Sequence, residues 1–296
     1  LVKELEPGLN ALFGLEYKRY ENQHSEIYNE ESSDRAFEEE VMLSGFANAQ
    51  VKGEGSGVSF DEAQETFTAR YTHETVALAF AITEEAIEDN LYDRLASRYT
   101  KALARSMSNA KQVKSVEPLI QGLPTTNNFD SGDGVSLFNT AHPTVAGTFA
   151  NTLATQADLN ETSLEQSMID IAQMTDERGL RIAARGVKMI IPSELQFTAE
   201  RLMKSQGRTG TADNDINAIV SMGMVPQGYR VNNYLTDSDA FYILTDIPNG
   251  MKMFNRAPLT TAMEGDFDTG NVRYKARERY SFGVSDPRGI FGVEGA

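Results

Sequence analysis

An α+β fold is predicted from three features of this sequence. Helical periodicity runs from Thr83 to about Val116, period-two alternation borders a glycine-rich centre, and the later half mixes short helical and strand patterns. With 40% hydrophobic and 24% charged residues, the 296-residue chain reads as globular and long enough to bury a sizeable core.

Residues from about Pro7 to Glu40 are charged, with Leu9, Leu12, Phe13, Tyr17 and Tyr20 at helical spacing before the polar stretch Asn29 to Asp34. Such a segment has too little apolar surface for a core of its own. It packs either on its own domain or across a neighbouring copy. The glycine-rich centre Lys52-Gly53-Glu54-Gly55-Ser56-Gly57 is flanked by Phe46–Val51 and by the alternating run Thr66–His73, which predicts a long β-hairpin. Its strands are polar, so the hairpin is either a simple surface feature or a projection that pairs with another chain.

Val76, Leu78, Phe80 and Ile82, interleaved with alanines, predict a buried strand that ends at Thr83, a good N-cap. The following helix carries Ile87, Leu91, Leu95, Tyr99, Leu103 and Met107 as its apolar stripe. Acidic residues crowd its start (Glu84, Glu85, Glu88) and basic ones its end (Arg105, Lys111, Lys114), which suits the helix dipole. Unbroken to Val116, it spans roughly 50 Å, the length of a spine.

After a Pro-, Asn- and Gly-rich loop from Leu123 to Gly134, Leu164, Met168, Ile171 and Ala172 mark a helix stopping near Gly179. Val187–Ile191 is a short buried strand, and Ser193 with Gln196 makes a capping box for a helix that ends at Gly207. Gly207 to Asp215 is a loop. Strands Tyr229–Tyr234 and Phe241–Leu244 follow, joined by the turn Thr236–Asp239. Asn271–Val284 is a charged strand with Val272, Tyr274 and Ala276 on one face.

The net charge of −16 argues against a phosphate-binding surface, although it permits a wall that encloses a polyanion. No apolar run approaches bilayer length, and no signal-peptide pattern opens the chain at Leu1. Zero cysteines exclude disulfides and thiolate chemistry and suit a reducing compartment.

Motifs of chemistry are nearly missing. Asp268-Thr269-Gly270 matches the aspartic-protease triplet, but one copy lacks the second carboxylate, and a turn is the simpler reading. Asp213-Asn-Asp215-Ile-Asn217 begins like a calcium loop, yet Ala218 replaces the required glycine and Met224 the bidentate Glu. Gly53-Glu-Gly55-Ser-Gly57 is not a dinucleotide fingerprint, because no helix follows it. His24, His73 and His142 lack metal-ligand spacing and are expected to be structural. The tyrosines of the arm, hairpin and spine lie on apolar faces, which suits packing rather than base stacking. No catalytic residue, cofactor or metal is expected.

Eight stretches, taken in order, resemble one family. They are Gly8–Tyr17, Arg70–His73 with Ile82–Glu85, Glu88–Asp93, Leu137–Pro143, Ile190–Leu195, Ala240–Thr245 and the ending Asp286–Gly292. The chain is similar over nearly its whole length to HK97-fold major capsid proteins of tailed bacteriophages, and within them to the Mu-like head subunits. The resemblance implies an N-arm (1–45), an extended loop (46–75), a peripheral domain with the spine helix (76–120 and 256–284) and an axial domain (121–255 and 285–296). It implies a non-enzymatic shell protein that assembles with itself as pentamers and hexamers into an icosahedral head. That head would enclose double-stranded DNA without sequence-specific contacts. Scaffold, portal and decoration proteins are the other implied partners, with no membrane. The location would be the virion, after assembly in the host cytoplasm. Gly207 to Asp215 would form the axial tip, where a Gly-, Thr- and Asn-rich loop can adapt to both five- and six-fold surroundings. The expected inter-subunit contacts are therefore Lys52, Gly53, Gly55, Gly57, Arg70, Gly207, Gly210 and Asp213. Lys52 also stands where some of these capsids carry a lysine that forms an isopeptide bond with Asn. No distinctive partner pattern accompanies it here, and most relatives do without the bond. Two other readings are an encapsulin-like nanocompartment shell and, more distantly, an acidic hydrolase using Asp268.

Overall fold

The computed structural model describes residues 2–88, 92–207, 215–266 and 270–296. In chain order the helices are α1 (Val2–Arg19), α2 (Glu84–Glu88), α3 (Tyr92–Gln121), α4 (Glu161–Gln173), α5 (Gln196–Lys204) and α6 (Ala218–Ser221). The strands are β1 (Asn29–Ser32), β2 (Phe37–Leu43), β3 (Glu65–Thr72), β4 (Glu74–Ile82), β5 (His142–Thr144), β6 (Gly147–Phe149), β7 (Gly186–Ile191), β8 (Tyr229–Val231), β9 (Phe241–Thr245), β10 (Met251–Gly265), β11 (Val272–Val284) and β12 (Ile290–Val293). Two compact units result. The first takes residues 1–38, 71–115 and 253–282, and the second takes 39–70, 116–252 and 283–296.

The first unit is built on a sheet in the order β1-β10-β11-β4. Strand β11 alternates as predicted, with Val272, Tyr274 and Ala276 buried. Its partner β4 is antiparallel, from Val272 opposite Ile82 to Tyr280 opposite Glu74. Leu9 and Phe13 of α1 and Ala96, Leu103, Ala104 and Met107 of α3 close over Tyr274 and Ala276. Leu9, Phe13, Leu103 and Met107 each contribute roughly 1.5–3 kcal/mol on full burial, and the alanines less. Asn10 anchors α1 by accepting hydrogen bonds from Tyr274 Oη and Thr261 Oγ1, both at 2.8 Å. The first segment thus packs on its own unit. Strand β4, expected to be buried, is instead a sheet edge: Leu78 is 47% exposed and Ala77, Ala79 and Ala81 face solvent.

A buried polar cluster also holds α1. Glu278 on β11 accepts from Tyr17 Oη at 3.4 Å and lies 3.5 Å from Lys111 Nζ, which in turn sits over the Tyr280 ring. Burial pushes the Glu278 carboxyl above its ordinary value, against the pull of Lys111 and the two hydrogen bonds. Its proton is therefore held more tightly in the folded chain than in the unfolded one. Between the ordinary carboxylate value and the raised one, acidification stabilises the fold; above the raised value the buried charge is a cost. Melting curves of the parent and Glu278→Gln should show the parent gaining relative to the variant as pH falls through that window. Parallel pH profiles would refute this.

Thr83 caps the short α2, its Oγ1 accepting from Ala86 N–H at 3.4 Å, while the stretch expected to join α2 and α3 into one unbroken helix includes 89–91, which lie outside the described residues. The spine helix, however, runs past Val116 to Gln121, through Pro118. It stops at Gly122, where a Cβ would meet Leu137 Cβ at 2.6 Å and the Pro118 carbonyl at 2.7 Å.

The second unit packs helices on a sheet in the order β12-β9-β7-β8, in which β7 pairs parallel with β8 and antiparallel with β9. The expected strands at 229 and 241 are thus not neighbours, since β7 lies between them. Leu164, Met168 and Ile171 of α4 and Ala199 and Leu202 of α5 pack with Met189, Ile191, Phe241, Ile243, Phe291 and Val293. Helix α4 begins at a capping box between Asn160 and Ser163 and stops at Gln173, short of the expected Gly179. The capping box expected at Ser193 does not form. Ser193 Oγ turns to Glu194 at 3.0 Å, and a short 3-10 turn precedes α5, which ends at Lys204.

The expected hairpin also differs. Strand β3 pairs with β2, not with Phe46–Val51, and residues 44–64 carry no strand. Strand β10, with 15 residues, was not expected at all.

Candidate assembly surfaces

Residues 44–64 leave the body between β2 and β3 and return with their base tied. Ser44 N–H donates to the Gln64 carbonyl at 2.8 Å, Gln64 N–H to Ser44 Oγ at 2.9 Å, and Thr66 Oγ1 to the Met42 carbonyl at 3.1 Å. Asp61 accepts from Ala47 N–H at 2.6 Å, a bond that holds its carboxyl below the usual range. Arg178 lies 3.7 Å from Asp61 and donates to the Glu62 carbonyl at 2.7 Å. No local sequence signal marks Arg178, since it reaches across 116 residues.

Beyond this clamp the segment turns its apolar side chains outward: Val51 is 100% exposed, Phe60 98%, and Phe46 and Val58 are more than half exposed. Exposing aromatic and branched side chains in sequence costs free energy in water. Lys52, Gly53, Gly55 and Gly57 are all exposed at the tip, where Ser56 N–H and Oγ bond the Gly53 carbonyl and Gly55 has a φ of +80°. Arg70 is exposed on β3 and lies 3.8 Å from Glu39.

A second group of exposed apolar side chains includes residues at the described ends of the 207–215 stretch. Gly207 bridges to Ile216 at its base, while Gly210 and Asp213 lie outside the described residues. Beside it, Phe197, Ile216 and Met222 are largely exposed. A groove of about 540 Å³ is lined by Met203, Ile219, Met224, Val225 and Tyr229 among others. The calcium-like stretch is used otherwise: Asn217 caps α6, its Oδ1 accepting from Ile219 and Val220 N–H and its Nδ2 donating to the Leu202 and Ser205 carbonyls. Asp268 also lies outside the described residues.

The three histidines are buried in separate places. His24 bonds Gln112, and His73 sits between Ser33 and Ser281. His142 Nδ1 meets Asp133 at 2.5 Å while Nε2 faces Asn151 and the Leu137 carbonyl. Burial works against the Asp133 charge, but bonds from His142, Ser131 and Val135 N–H outweigh it and lower its pKa. Among the described residues no group of three or more carboxylates and histidines is arranged to hold a metal, and no described helix is long and apolar enough to cross a membrane.

A family model described as phage capsid protein matches residues 65–293. No curated protein matches the chain. Among solved structures, the capsid of Myoviridae phage XM1 aligns over 91% of this chain and 89% of its own, with a TM-score of 0.55 and 12% identity. The Mycobacterium phage Che8 structure covers 93% of both chains, with a TM-score of 0.53 and 15% identity. A virus-like particle from Pyrococcus furiosus covers 97% and 98%, with a TM-score of 0.53 and 11% identity. At such identities these likenesses speak for the fold, which is HK97-like.

Proposed function

The chain belongs to the phage capsid protein family, and with this HK97-like fold it is a structural capsid subunit; from this we propose that its copies close into an icosahedral head as pentamers and hexamers. In this reading the head encloses double-stranded DNA, is joined by scaffold, portal and decoration proteins, and assembles in the host cytoplasm. The subunit performs no catalytic step. Its ordered stretches, notably Leu137–Pro143 and Ile190–Leu195, support a reading within the Mu-like branch. The N-arm is 1–45, the extended loop 46–75, the peripheral domain 76–120 with 256–284, and the axial domain 121–255 with 285–296. Lys52, Gly53, Gly55, Gly57, Arg70, Gly207, Gly210 and Asp213 stand at contacts between copies, Lys52 without a covalent bond.

The observation that carries this reading is the outward-facing Val51 and Phe60 on a segment whose base is clamped. A shell covers such a segment many times over, and closure makes individually weak contacts cooperative. The purified parent should elute as megadalton particles and appear as closed shells by negative-stain microscopy. Deleting Gln50–Glu65, which removes the ties at Asp61, Glu62 and Gln64 together with the tip, should leave a folded subunit that forms no shells. A parent that stays monomeric at high concentration, or normal shells from the deletion, would overturn the reading. A particle containing a protein cargo instead of DNA would favour a nanocompartment.

A further inference from the structure

Glu177 is only 2% exposed, yet its Oε2 has no hydrogen-bond partner among the described residues. Arg288 takes Oε1 alone. Glu177 lines a cleft of about 360 Å³ in the second unit, between the end of β2 and the turn after β9. Asp176, Asp246 and Asp286 line it too, so four carboxylates share the cleft with the single guanidinium of Arg288 among its described lining residues. The neighbouring Arg178 is engaged elsewhere, by Asp61 and the Glu62 carbonyl. Each aspartate uses Oδ1 locally: Asp176 accepts from Arg178 and Leu180 N–H, Asp246 from Arg185 N–H, and Asp286 from Arg288. No hydrogen bond among the described residues reaches their Oδ2 atoms.

These carboxylates do not converge. Among the described residues no three acidic or histidine side chains are arranged to hold a metal ion. The charge is spread along a cleft whose other walls are apolar: Met42, Leu43, Ile182, Ile247 and Pro248. A carboxylate oxygen shielded from water projects a stronger field than one in bulk solvent, and a buried charge without a counter-charge is costly. A compact hydrated cation would meet the acids but leave the apolar walls uncovered. A cation on a methylene stem uses both, as a lysine side chain does when its stem lies on apolar surface. Four carboxylates against one guanidinium leave an excess of three charges, more than one ammonium offsets.

We propose that this cleft binds a linear alkyl diamine. One ammonium lies beside the buried Glu177 and Asp286, the methylenes run against Leu43 and Ile247, and the other ammonium meets the exposed Asp246. The cleft is at the small end of ligand sites, which suits a slender molecule. Every lining residue belongs to one unit, so no second copy is needed.

Calorimetric titration of the purified parent with cadaverine should show saturable binding at one site per subunit. Asp176→Asn and Asp246→Asn keep Oδ1 for the backbone bonds and should each weaken binding by about tenfold. Both variants should keep the parent's circular dichroism and melting temperature when no diamine is present. Leu43→Asn, at a side chain 59% exposed, removes part of the wall for the stem and should weaken binding by about threefold. Pentylamine, with its single ammonium, should bind about tenfold less tightly than cadaverine. No saturable binding, equal affinity for pentylamine, or affinities unmoved by the substitutions overturns the site. So does full displacement by magnesium at the same concentration, which would mark an unspecific pool of negative charge.

Discussion

Arg288→Ala is expected to destabilise the protein by about 3–5 kcal/mol. The guanidinium reaches Glu177 at 2.6 Å and Asp286 at 3.2 Å, donates from Nε to the Thr175 carbonyl at 2.8 Å, and lies 4.1 Å above the Phe149 ring. The side chains of Arg288 and Glu177 are each only 3% exposed. Removing the cation strands a buried carboxylate whose Oε2 already has no partner. Lysine cannot replace a planar fork that makes several bonds at once, so Arg288→Lys should recover only a small part. Urea unfolding checks this, with Arg288→Ala/Glu177→Gln as the companion. The double variant should be more stable than the single one, because it no longer buries an uncompensated charge. A loss below about 1 kcal/mol for the single variant would show that the cluster is dispensable.

Gly289→Ala should cost about 1–3 kcal/mol, at the upper end of overpacking. Gly250 and Gly289 touch backbone to backbone: a Cβ on Gly250 would lie 2.8 Å from Gly289 Cα, and one on Gly289 would overlap Gly250 Cα. A side chain could swing away from an intruding methyl, but two chains pinned by the Ser285 N–H bond to the Gly250 carbonyl at 2.9 Å cannot. The contact sets the turn into β12, whose four residues are all buried. Gly14→Ala is the contrast, with open space around the new methyl in the helix α1. There the substitution should stabilise by about 0.5–1 kcal/mol. Equal thermal shifts for the two variants would contradict this account.

What the sequence revealed divides along a physical line. Patterns that repeat within one element were legible: the alternation of Val272, Tyr274 and Ala276, the buried run of β7 and part of the stripe of the spine helix, in which Leu103 and Met107 are buried while Tyr99 is exposed. Pairing between distant elements was not. The polar β2, with Glu38, Glu39 and Glu40 in succession, pairs with β3 only because the chain between them loops out. Pro258 and a run of threonines hid β10, whose inward residues are Leu259, Thr261 and Met263. Even a correct local motif was overridden, as when Ser193 turned to Glu194 instead of capping. The assembly surfaces were half visible. The glycine-rich tip stood out in sequence, whereas the Arg178 clamp depends on a contact that only folding creates.

Strand β4 carries a further implication for the subunit before it is incorporated. From Thr75 to Ile82 it offers eight successive uncharged residues along an open sheet edge, guarded only by Glu74 before and by Glu84 and Glu85 after. Such a stretch is a template for unwanted strand-to-strand growth into fibres. Newly made protein therefore faces a kinetic contest between ordered polymerisation and disordered stacking, and its residence time as a free protomer sets the outcome.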